Sequence, residues 1–211
     1  MKIRRATTRD LRQLCITAVH AFAEDPVMRW LYPDDDEYLA PGGEILRPAM
    51  ADWVEFNEVW CTDDVAALAV WIQPERPEVP ERSDPSAPLP SPELLDRFSI
   101  IGLLMAENAP TEQYWYLQLL ATHPDWQRQG LGAALMAAKF EDSDRDGLPF
   151  HLETETLVNV GYYRRSGFDV HAEFDIPTGP HRHRFSSFGN DPAIEVGPHM
   201  WGMMRDPRPR W

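Results

Sequence analysis

Gln127-Arg128-Gln129-Gly130-Leu131-Gly132 sets two glycines one residue apart beside amide and guanidinium side chains, and good helix formers follow. Three chemistries compete for such a turn: a nucleotide loop, a cradle for some other phosphate, or a plain helix entry. A dinucleotide-binding turn needs a third glycine three residues on, and position 135 is leucine. A P-loop ends in Gly-Lys-Ser/Thr, which is absent here. The phosphate cradle and the plain entry remain. A helix start offers backbone N–H donors and a partial positive charge. The N–H groups of Gln129 through Ala133 are therefore expected to face one anion, with Gln127 and Arg128 orienting the loop or reaching a phosphate.

A second set of reactive groups lies downstream. In the segment His151-Leu152-Glu153-Thr154-Glu155 the two glutamates occupy alternate positions, so a strand there puts both on one face. A carboxylate among aromatic residues is a candidate general base. His123, beside the end of the preceding apolar run, is the alternative base, and a turn residue otherwise. The run His181-Arg182-His183-Arg184 alternates histidines but has no carboxylate or cysteine at ligand spacing. An exposed loop without metal is expected there.

These groups must be positioned by an ordered set of elements. Ile3 opens a short strand, and Leu11, Leu14, Cys15, Ala18, Val19 and Phe22 then recur at helical steps, with Thr8 or Asp10 as cap. Free Cys15 on that face is read as a small hydrophobe. A proline-broken acidic segment holds a short helix, and a second helix covers much of 43–55. Two β-prone runs about Thr62, Asp63 and Asp64 make a hairpin. Residues 74–92 hold many prolines and charges and read as a surface loop. Ser91-Pro92-Glu93 then starts a helix. The rest alternates: an apolar strand over 113–124, a helix from 131 to about 142, the strand at 149–155, a short helix over 159–167 capped by Asn159, and a strand at 168–177. A polar loop at 178–196 and a last strand close the chain. Hairpins flanking strand–helix–strand crossovers predict a mixed sheet covered by helices.

At 211 residues, with 43% apolar and 11% aromatic residues, the chain suits one globular domain. Its net charge of −14 argues against nucleic-acid or anionic-membrane partners and suits a cationic small substrate, or simply solubility. Two cysteines supply no disulfide framework, and the basic start lacks the apolar stretch of a signal peptide. A cytoplasmic setting is expected.

The turn matches the Q/R-x-x-G-x-G/A motif of the GCN5-related N-acetyltransferases (GNAT), and Asn159-Val160-Gly161-Tyr162-Tyr163-Arg164-Arg165-Ser166-Gly167-Phe168 resembles their Asn…Tyr-x-x-x-Gly-Phe segment. Both occur in the family's order. Within it, the segments around Ala21–Pro26, 59–75, 151–155, 159–168 and 197–207 are most similar to the puromycin N-acetyltransferase group. The 74–92 and 178–196 loops diverge from that group. The resemblance implies a single GNAT domain over residues 1–211, of mixed α/β class, its central, mostly antiparallel sheet of about six to seven strands flanked by helices. It also implies transfer of acetyl from acetyl-CoA, as cosubstrate, to a primary amine of a small molecule, antibiotic-like or an amino metabolite. On it, Gln127 through Ala133 hold the pyrophosphate, while a bulged strand at Leu120, Ala121 and Thr122 and the Asn159 side chain hold the pantetheine. Tyr163 protonates the leaving thiolate, or else packs on the sheet as Tyr162 does. Glu153 is the base, and Trp30, Tyr32 and Glu155 border the acceptor. The alternatives are acetylation of protein N-termini or lysines, and a non-catalytic acyl-CoA-binding module.

Overall fold

The computed structural model describes residues 2–39, 43–80, 90–178 and 195–208. Strand β1 (Ile3–Arg5) leads through a 3-10 turn into helix α1 (Leu11–Ala21), whose Leu14, Cys15, Ala18 and Val19 are buried. The residue before the turn, Thr7 rather than Thr8, begins it. The Asp10 carboxylate accepts from the Thr7 N–H at 2.8 Å and the Thr7 hydroxyl at 2.9 Å, and it also grips Arg4. Helix α2 (Pro26–Leu31) starts at an Asp-Pro pair, with Asp25 accepting from the N–H groups of Val27 and Met28. Short α3 (Asp35–Tyr38) and α4 (Arg47–Phe56) follow.

The expected hairpin is β2 (Glu58–Thr62) and β3 (Ala67–Ile72); its turn is tied by the Thr62 hydroxyl donating to Asp64 at 2.7 Å. Ser91 caps α5 (Pro92–Asn108) as its type predicts, accepting from Leu94 N–H. Then come β4 (Trp115–Thr122), α6 (Leu131–Asp146), β5 (Phe150–Thr154), α7 (Leu157–Arg165), β6 (Asp169–Thr178) and β7 (Glu195–Arg205).

Seven strands form one sheet in the order β1-β2-β3-β4-β5-β7-β6, antiparallel everywhere except β4–β5. Alternation along the strands feeds two faces. On one, Trp71, Trp115, Leu117, Phe150 and Leu152 pack with Leu135 and Met136 of α6 and with Val160 and Tyr163 of α7. On the other, α1 and α4 cover β2–β4, while α2 and α5 meet Ile176 and Met200 of β6 and β7. Each large side chain so buried contributes about 1.5–3 kcal/mol.

Two features of this sheet shape the site. The β3–β4 register slips between Val70 and Trp71, which face Leu119 and Leu117, so Gln118 is the extra residue of a bulge in β4. Parallel β4 and β5 pair only through Trp115–Phe150 and Tyr116–His151. Beyond Tyr116 they part, and among the described residues the β5-facing edge of β4 has no strand partner. An open crevice at the carboxyl ends of two neighbouring parallel strands is a favoured ligand position in α/β sheets.

Three expectations change. Helix α6 runs four residues past 142, to Asp146, because Gly147 at φ +69° supplies the left-handed residue that stops it. Thr156 caps α7, accepting from the Asn159 N–H at 3.2 Å, so Asn159 lies inside the first turn and is not the cap. Of the 178–196 loop, Thr178, Glu195 and Val196 belong to β6 and β7, and 179–194 lie outside the described residues, as do 81–89 of the proline-rich stretch. His181 through Arg184 fall in the former gap.

Candidate active site

The glycine turn forms one arm of the crevice. Arg128 at φ +61° and Gly130 at φ +81° both take left-handed backbone, reversing the chain from the 3-10 turn Pro124–Trp126 into α6. The Gln127 carboxamide donates to the Thr122 carbonyl at 3.2 Å, tying the turn to the end of β4. No side chain caps α6, so its first N–H groups have no helical acceptor and none from a cap. The two glycines are needed for different reasons. A side chain on Gly130 would meet nothing within 4 Å, and only its φ demands glycine. A Cβ on Gly132 would stand 2.8 Å from the Tyr162 hydroxyl and 3.5 Å from Leu120, so this glycine lets α6, α7 and β4 close together. Helix α6 is further pinned by buried Lys139, which reaches Glu58 and Asp142 at 2.8 Å and lies 3.6 Å over the Trp115 ring.

Across the crevice, β5 presents Glu153, its side chain 6% exposed. Tyr116 of β4 donates its hydroxyl to Glu153 Oε2 at 2.6 Å, and His151 Nε2 meets Oε1 at 2.9 Å. These contacts sit where β4 and β5 last pair. Burial and the Glu153 charge push the Tyr116 phenol far above its usual range, so it remains a donor. Arg76, at the start of the proline-rich stretch, donates to Tyr114 at 3.1 Å and lies over the Tyr114 and Tyr116 rings.

Next along the same face, Glu155 meets Asp25, the cap of α2. Burial raises the pKa of both, and each faces a carboxyl partner. Asp25 already accepts two backbone N–H groups, which favour its charged form. The shared proton therefore resides on Glu155, whose carboxyl is pushed well above its usual range. Tyr163, from α7 on the other face of the sheet, senses Glu155 as well. Burial above all keeps its hydroxyl protonated beyond the ordinary phenol range.

The remaining predicted residues fall as follows. Leu120, Ala121 and Thr122 follow the bulge, paired with β3 on one edge and past the pairing with β5 on the other. Gln129, Leu131 and Ala133 belong to the turn and the first turn of α6. Trp30 is half-buried with the Arg97 guanidinium over its ring, and Tyr32 is buried against Tyr38 and Phe98. His123 caps the 3-10 turn beside His20, about 20 Å along β4 from Tyr116. That distance separates it from Glu153. Asp25, Tyr116 and His151 were not singled out by the sequence. His151 was within reach, since the alternation that pairs Glu153 with Glu155 includes it.

Solved structures share this fold. One described as histone acetyltransferase HPA2 and related acetyltransferase, from Corynebacterium glutamicum, superposes with a TM-score of 0.60 at 22% identity, covering 99% of this chain and 97% of that one. This chain has the GNAT fold. Arylalkylamine N-acetyltransferase 2 from Aedes aegypti has the same GNAT architecture, with a TM-score of 0.63 at 12% identity over 98% of this chain and 99% of its own. Naa20 from Chaetomium thermophilum, in complex with a bisubstrate analogue, gives 0.52 at 16% identity over 98% and 87%. Residues 96–170 match the family model described as acetyltransferase (GNAT) domain. That GNAT match runs from α5 into β6 and so contains both arms of the crevice. Among the described residues, no helix is long and apolar enough to cross a membrane.

Proposed function

We propose that the protein transfers acetyl from acetyl-CoA to the primary amine of a small cationic molecule. The observation that carries this reading is the split between β4 and β5, with an uncapped helix start on one arm and the held carboxylate Glu153 on the other. The donors of Gln129 through Ala133, with Gln127 and Arg128, suit a pyrophosphate, and the side-chain-free space at Gly130 leaves room for one. The free edge of β4 at Leu120, Ala121 and Thr122 suits an amide-bearing arm, with Asn159 beside it. When bound, acetyl-CoA supplies a thioester carbonyl for the amine to attack.

The chain's own groups divide the proton work. Glu153 takes one proton from the ammonium and frees the nitrogen lone pair. Glu155 is unsuited to that task because it already carries the proton it shares with Asp25. As the C–S bond breaks, Tyr163 gives its proton to the sulfur; the second proton, lost by the amine as the N–C bond forms, restores the Tyr163 hydroxyl, and the one on Glu153 passes to solvent. Charged Asp25 and Glu153, the latter held by the aromatic Tyr116, favour a cationic acceptor. Likeness to the puromycin N-acetyltransferase segments also supports a small acceptor over a protein one.

Release of free CoA tests the reading, with acetyl-CoA and a panel of small amines, diamines and N-terminal peptides. Turnover on small amines is expected, with Glu153→Gln and Tyr163→Phe each lowering kcat by about 10²–10⁴-fold. Turnover on peptides alone would overturn the acceptor class, and acetyl-CoA binding without turnover on any amine would overturn the enzyme.

A further inference from the structure

His151 is nearly inaccessible, 1% exposed, although imidazole is polar and usually keeps some contact with water. Its ring is held on every side. Tyr116 stacks on it at 5.7 Å between centroids and 24° between planes, while Tyr114 and His171 meet it edge-on at 5.1 and 5.0 Å. Both nitrogens are engaged. Nε2 faces Glu153 Oε1 at 2.9 Å; Nδ1 lies 3.2 Å from the Met203 carbonyl of β7 and 3.2 Å from His171 Nε2 of β6.

Counting protons fixes what the ring does toward the glutamate. The second carboxylate oxygen takes the Tyr116 proton, so an ionised Glu153 requires a proton on Nε2. At Nδ1 two states satisfy the neighbours. A protonated Nδ1 donates to the Met203 carbonyl and makes the ring cationic; a bare Nδ1 accepts from His171 Nε2–H and leaves it neutral. Burial, and next the His151 ring, lower the His171 pKa, which keeps His171 neutral near pH 7 and able to serve either state. The charged or ionisable groups around the pair are Glu153 and Glu155 on β5, Tyr114 and Tyr116 beside or within β4, Arg76 over those rings, and Glu112 near His171. In both states Nε2–H points at Glu153.

We propose that His151 is a positioning residue for the acetyl transfer: with the Tyr116 hydroxyl, its Nε2–H fixes the place of the Glu153 carboxylate at the end of the β4–β5 pairing. His151 touches neither amine nor thioester, and its effect passes wholly through Glu153. The inference rests on the role of Glu153 in the proposed function. Partners that orient a reactive group one shell further out are worth about 10–100-fold in related settings.

Two amides separate this role from simple packing. The Gln amide nitrogen stands near the Nε2 position and can reach Glu153. The Asn amide nitrogen stands near Nδ1, where it can satisfy the Met203 carbonyl but not Glu153. His151→Gln is expected to keep kcat within about threefold, and His151→Asn to lose about 10–100-fold, with KM for acetyl-CoA within about twofold in both and folding checked by thermal unfolding. In a Glu153→Gln background, His151→Asn should cost nothing further. Equal losses for Asn and Gln, or an additive loss in that background, would overturn the inference. So would unchanged kcat in His151→Asn beside a large loss in Glu153→Gln, and that result leaves the proposed function standing. Full activity in Glu153→Gln alone overturns the base assignment itself, and the role of His151 with it.

Discussion

Replacing Gly132 by alanine tests how closely the start of α6 packs on α7 and β4. The new Cβ would lie 2.8 Å from the Tyr162 oxygen and 3.5 Å from Leu120 Cδ2, and only the first contact is too close. Overpacking costs up to about 1–3 kcal/mol where the neighbour is rigidly held, and less where, as here, the clashing atom is the far end of a half-buried tyrosine. Alanine in place of glycine inside a helix returns at most about 1 kcal/mol. The net loss is therefore at most about 2 kcal/mol, or a fall in Tm of up to a few degrees at roughly 2–4 °C per kcal/mol for a chain of this size. Tyr162→Phe deletes the oxygen that clashes. In that background Gly132→Ala should be neutral or stabilising, giving a coupling of up to about 3 kcal/mol in a double-mutant cycle read by urea unfolding. Gly130→Ala serves as control. It meets no neighbour, loses about 1–2 kcal/mol to its left-handed φ alone, and should show no coupling to Tyr162. An equal cost for Gly132→Ala with and without the Tyr162 hydroxyl would refute the packing argument.

Two further outcomes follow from the same geometry. Gly130→Val projects a branched side chain into the open space before α6 and should weaken acetyl-CoA binding at least tenfold, about 1.4 kcal/mol, by calorimetric titration; unchanged affinity would remove the phosphate cradle. Asp25 and Glu155 have folded pKa values raised above their unfolded ones, so the stability they contribute is complete below the usual carboxylate range and is lost as pH rises towards the folded values. Glu155→Gln keeps a donor to Asp25 without needing the proton, and its Tm advantage over the parent should widen between pH 5 and pH 8; a gap that does not change with pH would contradict the shared proton.

The order of the seven strands was readable because each apolar run ends at a strong breaker: Thr62-Asp63-Asp64, the prolines after Ile72, the glycine turn, Gly167. The glycine turn into α6 was readable because its residues are contiguous. What could not be read was whatever depends on strand pairing. Tyr116 is one aromatic among several in an apolar strand, and only the two-residue pairing of β4 with β5 brings its hydroxyl to Glu153. Asp25 reads locally as a helix cap, which it is, while its second partner lies 130 positions away in sequence. The bulge at Gln118 has no glycine to mark it, and the family resemblance alone suggested one. At α7 the sequence marked Asn159, a good capping type, but the helix starts at Leu157 with the Thr156 hydroxyl accepting from the Asn159 N–H, a bond that composition alone does not select.

The place of β7 has a consequence for how this molecule is made. Lying between β5 and β6, it supplies the Met203 carbonyl to His151 and the second neighbour of β5. Until residues 195–205 have left the ribosome, β5 is joined to the sheet through two residue pairs with β4, and its other edge is bare. The glycine turn and α6 can settle on β2–β4 while synthesis is still under way. The Glu153 arm gains its second strand neighbour only with β7, so a nascent chain can hold the glycine-turn half of the crevice well before β5 is paired on both edges.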